Sequence, residues 1–410
     1  MNVNQERLFR HLTELGEIGR KADGLHCLAL SSEENEVHNL TRRYMEEAGL
    51  QVRVDAAGNL FGRKEGTDPS APVVMTGSHL DTVYGGGIFD GRLGVLAGIE
   101  ALQTLNENGI QTKNPLEVVA YRDEEGTRFM GPFSGAAHMA GKPPAGILDH
   151  VDRDGITVRD ALLACGIDPE HVQDAALPKD YAKAHLELHI EQGAVLENLG
   201  LAVGVVTGIC CQIRGEYTIV GQSAHAGTTP IALRHDALCA AAEVILAIEE
   251  EAAKDTGSVA TVGRITVEPG GVNVVPGVAK FSLDLRNLSL AARDALFARV
   301  DARAKEICDR RKVTVSFETL VKETVPHPCD EQVQKVICDA CEKLGYPVHK
   351  MPSGAGHDTC ALTDFCPTGM IFIRSKDGLS HNGAEYSSPE DCAAGAEVLM
   401  ESMLTLASND

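Results

Sequence analysis

Histidines and carboxylates gather in this sequence where an apolar run breaks abruptly into polar, glycine-bearing residues. His79 stands in GSHLDT just after the run at 73–75, and Asp90 stands in GGGIFDG. Glu124 and Glu125 follow LEVVAY directly, His189 lies in ELHIEQG, and His381 lies in GLSHN after MIFIRS. Neutral imidazole mixed with carboxylate is the donor set that holds zinc-like divalent ions. The glycines beside Asp90 let the backbone approach an ion closely. Taken singly, each residue has a plainer explanation. A strand-end histidine can serve surface hydrogen bonding, an Asp before Gly can shape a turn, and an acidic pair is common in so acidic a chain. The shared pattern of apolar strand, abrupt polar site and neighbouring glycine points instead to one site. His11, His38, His150, His171 and His349 lack it and are read as ordinary histidines.

The elements that must carry these residues can be read from periodicity. Residues 5–21 and 33–49 read as amphipathic helices, the second opened by the cap Ser31-Ser32-Glu33-Glu34. Strand-like QVRVDAAGNLFGRKEG and APVVMTGSHLDT follow, then a helix over 91–107 and the strand LEVVAY. Strands alternating with helices predict an α/β sandwich with functional groups at strand ends. The texture changes after HIEQGAVLENLGLAVGVVTG. Strands at 213–224 and 259–267, a helix over 235–254, alternating FSLDLRN, a helix over 289–311 and VTVSFETL give the order β-α-β-β-α-β. That order predicts a ferredoxin-like α+β domain, 212–325, inserted in an α/β domain made of 1–211 and 326–410, which the resemblance given below makes a mixed-sheet catalytic domain. A helix over 330–344 and a last one from Pro389 complete the second part.

Composition narrows the function. The 410 residues are 43% hydrophobic and 23% charged, which excludes intrinsic disorder. Lys+Arg 37 against Asp+Glu 59 gives a net charge of -22, a field that disfavours nucleic acid and anionic membranes as partners. No apolar stretch is long enough to span a bilayer, the first residues carry no apolar signal core, and a cytoplasmic location is expected. Cys338 and Cys341 form a C-x-x-C in a helix-like segment. A redox or zinc role is open to them, but no second pair lies at zinc-finger spacing, so reduced, half-buried thiols are the preferred reading.

The segments GSHLDT, FDG, DEEG, HIEQG, SAHAGTTP, GGVNVVPG, SGAGHD and SHN, in that order, resemble the M20-type metal-dependent amidohydrolases. More narrowly they resemble the branch containing N-carbamoyl-L-amino acid hydrolase, allantoate amidohydrolase and β-ureidopropionase, over about residues 5–405. The resemblance implies two divalent ions, Zn, Mn, Co or Ni, bridged by Asp90, with His79 and Glu125 on one side and His189 and His381 on the other. It makes Glu124 the general base, kept ionised by the nearby cations, and Asp81 the carboxylate that orients His79. It also implies a homodimer through the inserted domain, with His225 of SAHAGTTP stabilising the oxyanion in the partner's site. The alternative for His225 is a loop histidine in a dimer contact.

Substrate recognition follows the same resemblance. Alternation in FSLDLRN places Arg286 on the polar face of its strand. There it either pairs with Asp284 or Glu268 or, as the family implies, grips a substrate carboxylate. Asn273 would add a donor, Gln192 would bind near the metals, and Gly356 with His357 would contact substrate. The expected reaction is removal of the carbamoyl group of an N-carbamoyl-L-amino acid. Allantoate, which also joins a ureido group to a carboxylate, is the runner-up. The stretch TRFMGPFSGAAHMAG, with His138, departs from both subgroups. Exopeptidase or aminoacylase activity is disfavoured, since His79-Leu80-Asp81-Thr82-Val83-Tyr84 lacks the peptidases' proline and HIEQG carries a histidine where they usually have a carboxylate. A catalytically silent binding protein is disfavoured because no ligand or base is missing.

Overall fold

The computed structural model describes residues 1–408. The chain divides into two compact units, Met1–Gly208 together with the residues from Pro328 onward, and Ile209–His327.

The first unit is built on a nine-stranded mixed sheet. Its centre is four parallel strands, β1 (Val73–His79), β2 (Leu116–Tyr121), β3 (Ala182–Ile190) and β4 (Thr368–Ile373), in the order β4-β3-β1-β2. Antiparallel strands continue it on either side, Val203–Ile209 beside β4 and Leu60–Lys64 then Gln51–Val54 beside β2. The central strands are apolar on both faces because helices cover both. Val74, Val118, Ala120, Leu186 and Ile371 join one core with the helices Gln5–Leu15, Ser32–Glu47, Arg92–Glu107, Glu331–Leu344 and Pro389–Ser408. Their strand neighbours Val73, Met75, Val119 and Tyr121 join a second core with Ala136, Met139 and Leu362. This period-2 division is what a doubly covered parallel sheet requires. Burying each large apolar side chain contributes about 1.5–3 kcal/mol. Parallel pairing puts the C-terminal ends of the strands at one edge, and the register sets His79 opposite Tyr121 and His189 opposite Phe372.

The predicted first helix is shorter than its periodicity implied. It ends at Leu15, and Arg20–Lys21 pairs with Gly24–Leu25 as a small ribbon. The helix N-terminus at Ser31 is a side-chain cap, its hydroxyl accepting from the Glu34 N–H at 3.1 Å. Two short helices, Ser134–Met139 and Val158–Ala164, were not foreseen.

The second unit is a five-stranded antiparallel sheet with two helices, Ala237–Ala252 and Leu290–Arg311. Val278–Asn287 and Cys211–Val220 lie at its centre, Thr314–Lys322 flanks one side, and Val259–Thr261 with Ile265–Glu268 flank the other. Val278–Asn287 alternates strictly between buried and half-buried residues, and Phe281, Leu283 and Leu285 face the helices. Arg286 therefore lies on the opposite, polar face, as the sequence pattern required. Among the described residues no helix is long and apolar enough to cross a membrane.

Candidate active site

The ends of the parallel strands bring His79, Asp90, Glu124, Glu125, His189 and His381 together. His79 is the last residue of β1, and His189 is the second-last of β3. Asp90 precedes the helix Arg92–Glu107 by way of Gly91. Gly91 has φ 67°, and a Cβ there would fall 2.4 Å from the His79 ring, so only glycine lets the imidazole pack against the turn that presents Asp90. Beyond β2 the chain passes through Asp123 in the left-handed region (φ 56°), and the consecutive Glu124 and Glu125 then both reach the cluster.

Asp90 is the hub. Its Oδ1 lies 3.0 Å from His189 Nε2 and 3.5 Å from His79 Nε2. Its Oδ2 lies 3.3 Å from His381 Nε2, which is 3.6 Å from Glu125. Glu124 is 3.6 Å from His79 Nε2. Donor atoms close enough to share one ion are therefore His79, Asp90 and His189 on one side and Asp90, Glu125 and His381 on the other. The family resemblance implied another division, His79 with Glu125 and His189 with His381. The two oxygens of Asp90 face different histidines, and spacing along the chain carries no information about which. His79, Glu124 and Glu125 form a further such group.

The donor chemistry fits divalent ions. His189 donates Nδ1–H to the Ile190 carbonyl at 2.9 Å, and His79 Nδ1 lies 3.1 Å from the Asp81 carbonyl. Each bond leaves the Nε2 lone pair aimed at the carboxylates, the state a metal ligand needs. The field agrees. Burial pushes Glu124 well above the ordinary carboxylate range, and Glu125, Asp358 and Asp81 push it further against the pull of His79. Burial works against protonation of His79, yet Glu124, Asp90 and Asp81 lift its pKa well above 6.5. A cluster that draws a proton so strongly draws a cation for the same reason.

Asp81 lies against His79 and against both glutamates. Its carboxylate accepts the backbone N–H groups of Glu124 and Glu125 at 3.3 and 3.2 Å, while Oδ1 stands 3.6 Å from His79 Nδ1. Its carbonyl orients the imidazole, and its side chain holds the two glutamates. Gln192, also left-handed at φ 57°, donates its amide to Asp90 Oδ2 at 2.8 Å, and its own Oε1 is buried without a partner. His357 is buried, 2.8 Å from Ser353 Oγ, with its ring packed edge-on to His189 at 4.5 Å. Gly356, beside it, is exposed, and a Cβ there would meet the Phe133 ring at 2.6 Å.

The remaining candidates belong to the second unit. His225 is exposed on a short strand paired with Val274–Val275, and Asn273 accepts the Ala226 N–H at 2.9 Å, so the two segments adjoin. Arg286 makes a two-pronged contact with Asp284, both distances 2.8 Å, and Asp284 also pairs with Arg214 at 2.8 Å. Asp284, one of the two carboxylates named for Arg286, is thus a partner.

Sequence reading missed Glu187, fully buried two residues before His189. It accepts from Ser78 Oγ at 2.8 Å and from Thr359 N and Oγ1 at 3.0 and 2.7 Å. It thereby ties together segments bearing His79, His189 and His357. Its signal was a carboxylate in an otherwise apolar strand. The twelve cysteines are free thiols, and none joins a group able to hold a metal among the described residues. Cys341 of the C-x-x-C is buried, which pushes its thiol up to about 12.

Similarity to known proteins agrees with this geometry. The chain is 49% identical over 409 residues to an N-carbamoyl-L-amino acid amidohydrolase of Geobacillus stearothermophilus, covering 100% of both chains. It is 35% identical to an allantoate deiminase of Arabidopsis thaliana, covering 97% of this chain and 82% of that one. The crystal structure of an amidase of the hydantoinase/carbamoylase family from Burkholderia multivorans superposes with a TM-score of 0.94 at 36% identity, covering 100% and 99% of the two chains. Residues 64–405 match the model of peptidase family M20/M25/M40, and the chain belongs to that family.

Proposed function

We propose that this hydrolase of amide C–N bonds acts on N-carbamoyl-L-amino acids, releasing the free amino acid, ammonia and carbon dioxide. The observation that carries the reading is the 49% end-to-end identity to a relative of that name, against 35% to an allantoate deiminase. The cofactors are two divalent ions per chain, of Zn, Mn, Co or Ni, held by His79, Asp90 and His189 and by Asp90, Glu125 and His381. Bound there, such ions acidify water and draw electron density from a carbonyl oxygen.

The chain's own groups do the rest. Glu124 takes a proton from the attacking water and returns it to the leaving nitrogen, the exchange a buried carboxylate of raised proton affinity performs. Asp81 keeps Glu124 and Glu125 in place through their backbone N–H groups. His225 donates to the oxyanion. Its Nδ1 accepts from the N–H groups of Gly227 and Thr228 at 3.0 and 3.2 Å, which leaves the ring proton on Nε2 for that purpose. Arg286 and Asn273 take the substrate carboxylate, Gln192 takes the carbamoyl group, and Gly356 and His357 line the substrate. The inserted unit, a ferredoxin-like domain in this reading, forms a homodimer, and His225 serves the partner's site. We assign the enzyme to the cytoplasm, whose reducing conditions suit twelve free thiols.

Ammonia release from metal-reconstituted protein, comparing several N-carbamoyl-L-amino acids with allantoate, tests the reading. Preference for an N-carbamoyl amino acid is expected. Preference for allantoate would transfer the same site to the other substrate, and turnover of dipeptides alone would overturn the ureido reading.

A further inference from the structure

Glu385 lies in the loop after His381 and is 6% exposed. Its Oε1 accepts the backbone N–H groups of Phe89 and Asp90, each at 3.0 Å. Its Oε2 is 3.0 Å from Ser380 Oγ, which is itself 2.9 Å from Asp90 Oδ2. The approach is so close that a Cβ on Gly87 would fall 2.3 Å from Oε1, so the glycine run before Asp90 is what admits this carboxylate. One side chain thus grips the backbone of Asp90 and, through Ser380, the residue next to His381.

His381 needs such a grip. Its side chain is 50% exposed, whereas those of Asp90, Glu125, His79 and His189 are between 1% and 7% exposed. Its backbone is left-handed at φ 53°, a conformation that costs a residue with a side chain about 1 kcal/mol or more and persists only where the surroundings impose it. We propose that Glu385 is a positioning residue for the ion held by Asp90, Glu125 and His381, setting the distance between two donors that lie far apart in sequence. The inference rests on the two-ion reading above.

The test is equilibrium binding of Mn²⁺ alone to metal-stripped protein, by titration calorimetry and by counting bound ions after dialysis. Wild type is compared with Glu385→Ala, Glu385→Gln and Ser380→Ala, with circular dichroism to verify folding. Wild type should bind two ions. Glu385→Ala should bind one of them about 10- to 100-fold more weakly, the usual cost of losing a group that orients a ligand. Glu385→Gln should recover most of the loss, because its amide oxygen still accepts from Phe89 and Asp90. Wild-type affinity for both ions in Glu385→Ala overturns the proposal, as does a loss in Glu385→Gln equal to that in Glu385→Ala. If Glu385→Ala does not fold, Ser380→Ala decides. It keeps both backbone bonds and should still weaken one ion, and unchanged affinity there sinks the link to His381. A wild type that binds fewer than two ions defeats the two-ion reading itself and takes this inference with it.

Discussion

At the scale of single residues the proposed roles separate proton transfer from ion holding, and substitutions should separate them too. Glu124→Gln keeps the size and backbone contacts of the side chain and removes its capacity to accept a proton. Turnover should fall by about 10²- to 10⁴-fold with the count of bound ions unchanged, and undiminished turnover would refute the base assignment. Gly91→Ala should do the reverse. The new Cβ would fall 2.4 Å from the His79 ring, at a φ of 67° that alanine resists. Metal affinity should drop along with stability, read by ion counting and by thermal unfolding, and wild-type affinity would show that the turn does not set the His79–Asp90 distance. That His79, Asp90, Glu124, Glu125, His189 and His381 belong together was legible in the sequence, because potential ion donors recurred where apolar strands break into polar, glycine-bearing loops. The sequence pattern could not tell how these donors group in space. That depends on how the two oxygens of Asp90 are turned, and nothing local in the sequence encodes it. Glu187 and Glu385 stayed hidden for a related reason, since their partners lie up to 296 residues away in the chain.

At the scale of elements, β3 carries a second polar group with a different consequence. His185 is fully buried, neither ring nitrogen has a hydrogen-bond partner, and burial alone lowers its pKa from 6.5 to about 3. Its sign is that of a base kept neutral by the fold. Between pH 6.5 and about 3 the unfolded chain binds a proton that the folded chain refuses, so stability falls as pH falls through that window and no further below it. The slope from this one group is at most about 1.4 kcal/mol per pH unit. His185→Leu should flatten the dependence of unfolding free energy on pH in that window, measured by urea titration. It should cost little near neutrality, because no hydrogen bond is lost. Equal slopes in the two proteins would mean that His185 is hydrated in the fold. Helix Ser32–Glu47 shows an opposite case, since burial would raise Glu34 but Arg122 holds it down to about 2. Both positions show what periodicity conveys and what it omits. The helix was evident from its apolar spacing and the Ser31 cap. The pairing of Glu34 with Arg122 and the isolation of His185 arise from packing between elements. The first helix was overextended in the sequence reading because its amphipathic pattern continues past Gly16, where a Cβ would meet Ile88 at 2.7 Å.

At the scale of the whole molecule, the question is whether one chain makes a complete site. The strands Val259–Thr261 and Ile265–Glu268 lie at the sheet edge of the inserted unit, and Leu246, Val259 and Ile265 are 59%, 54% and 44% exposed. An edge with exposed apolar side chains is a template for pairing with another strand, and a twofold axis there pairs like with like. Sedimentation should give twice the 43.7 kDa chain mass, and Ile265→Lys should shift it toward the monomer. The placement of His225 can then be decided by complementation. Glu124→Gln and His225→Ala chains, co-expressed with different tags and purified as the mixed dimer, each lack one group. If His225 serves the partner's site, one of the two sites in the hybrid is doubly defective and the other is intact. The hybrid should then recover about half of wild-type turnover although both parents are inactive. If His225 serves its own chain, both hybrid sites stay defective and no turnover returns. Failure to isolate any mixed dimer would overturn the dimer itself.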